Sequence, residues 1–333
     1  MEIKIADIND KIKWNSYVKE NKGSFFHLWE WGKFLNEYFG YKMFYLMAKE
    51  GEKTVGVLPL LEKPRSKTLI SLPLADFAGI IADNLKVHSE ILNYIQNNYT
   101  KKDFFIYSKE ELKNVPNGIY QTNIYANFEM EINGNAEEML IKVIPQKTRN
   151  MINKSNRADL TIKVADDLKL WEKYYRLYYA NMLHLKSLPL PFTFFRELQN
   201  LWKDKVKLFL VLKEKIPVSG LVGLIFEDKF YIWGNASDKK FSNLGANNRV
   251  YFEAIKFACE NDLRIVNLGN TKPQTSHFFF KKNWGAKEKN IYVISNKKNL
   301  NTESKSQKYI MSLFQFLPRF VLEILSKLIY KYY

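Results

Sequence analysis

The period of the hydrophobic positions changes several times along the chain. Between Leu28 and Phe39, Trp31, Phe34, Leu35 and Tyr38 recur at helical spacing and Gly40 supplies a stop, which predicts an amphipathic helix. Residues 43–48 and 54–61 are rich in β-forming side chains and flank the polar tip Lys49-Glu50-Gly51-Glu52-Lys53, which predicts a hairpin. Short strands are expected over 68–72, 77–81 and 104–107, a helix over 89–99, and one long strand or a strand pair over 120–132. Pro145 then opens a basic helix over 146–157. A strand over 160–164 and helices over 168–183 and 192–202 lead into three strands at 206–213, 218–226 and 230–233, the last two joined by Glu227-Asp228-Lys229. A helix over 246–261, a strand over 264–268, a helix over 276–282 and a strand over 290–295 follow.

This order predicts an α+β class with mixed, largely antiparallel sheets. Lys49, Glu50 and Gly56 recur as Lys213, Glu214 and Gly220, each shifted by 164 residues and each in a strand-turn-strand setting. Chance similarity and duplication both account for so short a match. The expected division is a first domain over 1–144, a second over 145–296, and a linker with an amphipathic tail over 297–333.

With 46% hydrophobic residues, 24 Phe, 20 Tyr and 7 Trp, the 333-residue chain buries enough apolar surface for a folded protein rather than a disordered one. Its 51 Lys and Arg against 35 Asp and Glu leave a net charge of +16, which points to a polyanionic partner. The charge is local. Residues 141–157 carry five cations and no anion, 272–289 five cations and one anion, and 297–333 seven cations and two anions, so these segments hold fourteen of the sixteen net charges.

Several chemistries lack their sequence support. One cysteine, Cys259, excludes an intrachain disulfide and suits a reducing compartment. It shares a helical stripe with Phe252 and Ile255 and reads as a buried, inert thiol. His27, His88, His184 and His277 are not at metal-ligand spacing, so no metal is expected. There is no dinucleotide fingerprint, no phosphate-cradling P-loop and no nucleophile elbow. Residues 1–14 lack the apolar core of a signal peptide, and the chain reads as cytoplasmic.

Three stretches in the first half carry a resemblance: Phe26-His27-Leu28-Trp29-Glu30-Trp31, Val55-Gly56-Val57-Leu58-Pro59-Leu60, and Leu72-Pro73-Leu74-Ala75-Asp76-Phe77-Ala78-Gly79. In the second half, Lys147-Thr148-Arg149-Asn150-Met151-Ile152-Asn153-Lys154, Tyr231-Ile232-Trp233-Gly234-Asn235-Ala236-Ser237-Asp238 and Phe280-Lys281-Lys282-Asn283-Trp284-Gly285 continue it. In this order the motifs resemble FemAB-like proteins over about residues 24–295. The resemblance implies tandem domains of the GNAT acyltransferase fold and transfer of an aminoacyl or acyl group onto an amine of a cell-envelope or peptidoglycan-type precursor.

The same resemblance implies roles. Lys281 matches the motif lysine and is the candidate for stabilising the oxyanion or binding donor phosphates, with Phe280 packed behind it. Arg149 is a candidate for donor phosphates. Asp76 and Asp238, at strand ends, are candidates to take a proton from the acceptor ammonium, although such aspartates are also common turn residues. Trp31, Tyr231 and Trp233 are candidate cleft aromatics, with plain core as the alternative. Leu35 and Leu190 stand where family members with nucleotide-linked acceptors carry a diphosphate-clasping lysine and arginine.

The donor is aminoacyl-tRNA or, as the alternative, an acyl-CoA thioester. The candidate pyrophosphate turn Ser242-Asn243-Leu244-Gly245-Ala246-Asn247 has Gly245 and Ala246 in place but Ser242 where a basic or amide side chain is expected. A catalytically silent RNA- or membrane-binding protein of the same fold is a further reading. In the tail, Arg319, Glu323, Lys327 and Lys331 form a polar stripe on a wide apolar helix, too interrupted to span a bilayer. That helix either lies on an anionic membrane surface, which suits a lipid-linked acceptor, or docks on the first domain.

Overall fold

Each hairpin of the chain packs its apolar face against helices, and the described residues, 1–165, 167–300 and 317–332 of a computed structural model, gather into two units. Unit 1 comprises Met1–Ala126 with 289–302 and 328–333; unit 2 comprises Asn127–Glu288 with 303–327. These units divide at 126/127 rather than at the expected 144/145, and residues 289–302 belong to unit 1 because they join its sheet.

In unit 1, β1 (Glu2–Ile5) pairs antiparallel with β2 (Lys42–Glu50), which forms the expected hairpin with β3 (Lys53–Glu62). β4 (Leu69–Ile70) and β5 (Ile81–Ala82) each pair with β3, β4 runs parallel to β6 (Phe104–Ser108), and β13 (Lys287–Ser295) closes on β6 with Val293 opposite Tyr107. The strands expected over 68–72 and 77–81 are cut to two residues each. Leu72 and Leu74 have φ of +54° and +60° on either side of Pro73, which breaks the extended chain. Asn296, the last residue of the expected second domain, caps β6 of unit 1: its side chain accepts the Phe104 N–H at 3.1 Å and donates to the Lys102 carbonyl at 2.9 Å. The rest of the expected linker lies outside the described residues after Leu300.

Helix α3 (Leu85–Asn98) covers one sheet face, where Val87, Ile91, Leu92 and Ile95 meet Leu46, Leu58, Phe104 and Ile106. α1 (Lys11–Glu20) and α2 (Trp29–Phe39) supply an aromatic core in which Trp14 stacks on Tyr45 at 4.6 Å. α1 and β1 had no clear period. α1 buries only Trp14, Tyr17 and Val18, too few to stand out from its charged neighbours.

Unit 2 is built on β8 (Thr161–Ala165), β9 (Val206–Lys213), β10 (Ile216–Phe226), β11 (Lys229–Ser237) and β12 (Ile265–Thr271), joined by β7 (Tyr120–Glu131) from Asn127 onward. Around this sheet lie α4 (Gln146–Asn156), α5 (Leu168–His184), α6 (Phe192–Leu201), α7 (Ala246–Glu260) and α8 (Ser276–Lys282).

The hairpin β9–β10 matches β2–β3 in kind. A Cβ on Gly220 would lie 2.6 Å from the Tyr174 ring on α5, and one on Gly56 would lie 2.8 Å from Val87 on α3. Both glycines let a helix close on a strand, although one helix precedes its hairpin and the other follows.

The tail helix α9 (Arg319–Tyr332) presents its polar stripe inward in part. In unit 2 the Arg319 guanidinium sits 4.7 Å from the Tyr175 ring and pairs with Glu323 at 2.8 Å, while Phe320 and Ile324 are 69% and 60% exposed. In unit 1 Tyr330 packs against Phe39 at 5.8 Å. Docking therefore accounts for one face of α9 and leaves apolar side chains on another. Among the described residues no helix is long and apolar enough to cross a membrane.

Gly56→Ala forces Val87 and Ile91 apart and is expected to cost about 1–3 kcal/mol in urea unfolding. Gly51→Ala, at a φ of +58° with nothing within 4 Å, is expected to cost about 1–2 kcal/mol. A Gly56→Ala variant as stable as the parent would remove this account of the helix packing.

Candidate active site of unit 2

Two backbone irregularities part β11 from β12. The strands run parallel for only three pairs, Lys229 opposite Ile265 to Tyr231 opposite Asn267, although β11 continues to Ser237 and β12 to Thr271. On β11, Trp233 is an extra residue: Val222 faces Gly234 while Gly223 faces Ile232, a bulge that bends the strand. On β12, Gly269 has a φ of +80° and its N–H donates to Asn267 Oδ1 at 2.7 Å, turning the strand out of its ladder.

A buried amide network holds that turn. Asn127 and Asn267 are both fully buried, and their side chains exchange hydrogen bonds at 3.0 and 2.9 Å. Asn127 Nδ2 also donates to Asn270 Oδ1 at 2.8 Å, and Asn267 Nδ2 to Glu129 Oε1 at 3.1 Å. Each donor removed from water is thereby met by an acceptor.

Lys281 enters from α8. Thr275 caps that helix, its Oγ1 accepting the Phe278 N–H at 3.2 Å, and Phe278 anchors it against the Phe128 ring at 5.3 Å. Lys281 is only 8% exposed, and its Nζ donates to the Asn270 carbonyl at 2.9 Å. The ammonium thus sits at the turn that separates the strands. Lost hydration of the ring, then repulsion by Lys281 and Lys239, holds the His277 imidazole below the usual histidine value, although the residue as a whole remains exposed.

Two stretches that carried the resemblance meet here. Thr148 Oγ1 on α4 donates to the Asn283 carbonyl just after α8. Gly285 has a φ of +75°, and a Cβ there would lie 2.5 Å from the Val143 carbonyl. Trp284, fully buried, stacks on Tyr251 of α7 at 5.6 Å, and Phe280 meets the same ring edge-on at 5.0 Å. Phe280 lies in an aromatic cluster with Tyr251 and Trp284.

Other expected site residues fall elsewhere. Asp76 and Trp31 belong to unit 1, where Trp31 is fully buried against Phe25, Phe26 and Phe34 and lines no cleft. Asp76 is half-buried between β4 and β5. Tyr231 is 1% exposed inside the sheet of unit 2, paired with Leu224 and Asn267 positions, and is core. Trp233 is half-buried at the bulge and stacks on Phe194 at 6.0 Å. Asp238 caps the turn after β11, accepting the Lys240 N–H at 2.9 Å, which is the turn role. Arg149 points its fork at the Ile141 carbonyl, 2.7 Å away, and at Gln146.

At the start of α7, Gly245 has a φ of +71° and a Cβ there would lie 2.4 Å from the Met151 carbonyl, so α4 closes on this turn. Asn247 accepts from Ser219 Oγ at 3.2 Å and from Asn235 Nδ2 at 3.0 Å. Cys259 is half-buried rather than buried, and lost hydration raises its thiol pKa, which disfavours the thiolate. Among the described residues no group of three or more His, Cys, Asp or Glu gathers as a metal site would require.

Residues 146–281 match the family model described as an acetyltransferase (GNAT) domain. The match lies wholly within unit 2. The solved structure of FemX shares the fold with a TM-score of 0.66 at 14% identity, over 88% of this chain and 97% of that one. The C-terminal domain assigned to a lysylphosphatidylglycerol synthetase of Agrobacterium fabrum gives 0.58 at 10% identity, over 88% of this chain and 93% of its own. A tandem GNAT protein from the clavulanic acid biosynthesis pathway gives 0.58 at 7% identity, over 90% of this chain and all of its own. No curated protein matches by sequence. The expected α+β tandem GNAT architecture and the kinship with FemAB-like proteins hold at the level of fold.

Within unit 2, Asn127, Glu129, Asn267, Asn270 and His277 were missed by the motifs. The signal present in the sequence is the pair of asparagines in Asn267-Leu268-Gly269-Asn270, polar positions in an otherwise apolar strand. Lys281→Met removes one of the two cations acting on His277 and is expected to raise its pKa toward 6.5, read from the imidazole C2–H in proton NMR. Because the folded-state pKa is depressed, the unfolded state binds more protons just below pH 6.5, and stability should drop there as the pH is lowered. His277→Gln should flatten that slope in urea titrations at stepped pH; an unchanged slope would contradict the assignment.

Proposed function

We propose that this chain is an aminoacyltransferase that forms an amide on an amino group of a cell-envelope precursor. The observation that carries the reading is Lys281, a desolvated ammonium held on the Asn270 carbonyl where β11 and β12 part. A fixed cation in such a site stabilises charge that develops during acyl transfer. The acceptor amine, once neutral, attacks the donor ester carbonyl; the new C–N bond forms, and the oxygen that gains charge is met by the Lys281 ammonium. Collapse breaks the C–O bond, and the leaving hydroxyl oxygen takes a proton. His277, neutral and on the same helix as Lys281, is the better candidate than Asp238 to accept the proton of the acceptor ammonium.

Aminoacyl-tRNA is preferred to acyl-CoA as the donor because the Gly245 turn is crowded by the Met151 carbonyl and Asn247 is committed to Ser219 and Asn235. Leu35 and Leu190, both buried, offer no cations for a nucleotide diphosphate. That supports a lipid-carried acceptor, as do the name of the lysylphosphatidylglycerol synthetase that shares the fold and the exposed Phe320 and Ile324 of α9. The protein would then work at the cytoplasmic face of an anionic membrane.

Aminoacyl-tRNA is expected to raise the melting temperature and free CoA to leave it unchanged, a ligand at 100 times its Kd adding about 2.7 kcal/mol. A shift with CoA alone would overturn the donor assignment, and no shift with either would overturn the transferase reading. Lys281→Met should lower kcat about 100-fold or more with little change in KM. Lys281→Arg controls for loss of packing, and wild-type turnover in the methionine variant would remove Lys281 from the site.

A further inference from the structure

A second site is built into unit 1, on the sheet face turned away from α3. Leu69, Phe104, Ile106 and Ile294 point into the core under that helix. Their strand neighbours Ile70, Phe105, Tyr107 and Val293 point the other way, with Ile70 opposite Phe105 and Tyr107 opposite Val293. They floor an open cavity of about 790 Å³. Lys63, Arg65 and Lys297 stand around it, and no Asp or Glu lines it among the described residues.

The rim is formed by the backbone of a tight turn. The Lys63 N–H donates to the Thr68 carbonyl at 3.0 Å and the Lys67 N–H to the Lys63 carbonyl at 3.1 Å, which presents Arg65 at the exposed tip. Burial pushes the Lys63 ammonium below the usual lysine value, as a group turned into the cavity wall would be. Lys297 pairs with Asp103 at 3.0 Å, leaving the rim with a net positive charge. Burial, then the neighbouring Tyr125, pushes the Tyr107 hydroxyl up to about 12, so it remains a donor at neutral pH.

We propose that this cavity binds a phosphate ester carried on an apolar or aromatic body. Lys63 and the Arg65 guanidinium fork, with Lys297 shared with Asp103 beside them, suit a dianion better than a single carboxylate. The volume lies within the range of about 300–1,000 Å³ typical of small-molecule sites and is far larger than inorganic phosphate needs. The aromatic floor therefore contacts the part of the ligand that carries the phosphate. This inference concerns unit 1 alone and stands or falls apart from the role given to Lys281.

The chemistry is shared by a phospholipid headgroup and a soluble phosphate ester, and the test separates them. Titration calorimetry on the full chain should show phenyl phosphate binding about tenfold more tightly than inorganic phosphate, a difference of about 1.4 kcal/mol. Arg65→Ala, at an exposed turn position, should weaken phenyl phosphate at least fivefold without changing the melting temperature. Tyr107→Leu should narrow the gap between the two phosphates, and Lys101→Met, outside the cavity, should change nothing. Flotation with phosphatidylglycerol vesicles that depends on Arg65 and is competed by phenyl phosphate would assign the lipid. Arg65-dependent binding of phenyl phosphate without such flotation would assign a soluble ester. Absence of saturable binding to either phosphate together with no Arg65-dependent flotation, or affinities that Arg65→Ala leaves unmoved, would overturn the proposal.

Discussion

An ammonium group taken out of water must find oxygen, and in unit 2 the oxygen that Lys281 finds is the Asn270 carbonyl. That carbonyl is available because β12 turns out of its ladder at Gly269, and the turn holds because Asn267 accepts the Gly269 N–H. Asn127 in turn bonds both Asn267 and Asn270. Strand separation and lysine placement are thus one arrangement: the polar network that prevents β12 from pairing further also creates the acceptor for the cation. Breaking any member leaves others buried without partners, so the site has little tolerance for partial change.

Much of the fold was legible because long elements carry a strong period. The helix ending at Gly40, the hairpin around Gly51 and α8 over Ser276–Lys282 were all readable from spacing and turn residues. The failures have physical causes. α1 buries three side chains among charged ones, and the strands near Leu72 and Leu74 are interrupted by left-handed backbone that leucine gives no hint of. The unit boundary was hidden because β13 is an ordinary strand whose partner, β6, lies far earlier in the chain.

The candidate site was half legible. Lys281 and Phe280 stood out through a motif, whereas the asparagines that place the lysine matter only through pairings between residues about 140 positions apart, which no local pattern records. Richness in aromatics misled in the opposite direction: Trp31 and Tyr231 are core, because a chain with this many rings uses most of them for packing. The charge of the segment over 141–157 is likewise redistributed, since the Arg149 fork serves the Ile141 carbonyl and Lys142, Lys147, Lys154 and Arg157 carry what faces outward.

The pairing of β13 with β6 bears on how the protein is made. On a ribosome, residues 104–108 emerge long before residues 289–295, so through most of synthesis β6 lacks the strand that completes that side of its ladder. The nascent amino-terminal region must wait, its open edge a template for wrong partners, while the intervening 162 residues from Asn127 to Glu288, the larger part of unit 2, emerge before its partner strand does. A first unit completed by residues 292–295 couples its quality to translation through those positions, and a product cut short before them would carry an unfinished sheet edge that quality-control proteases can recognise.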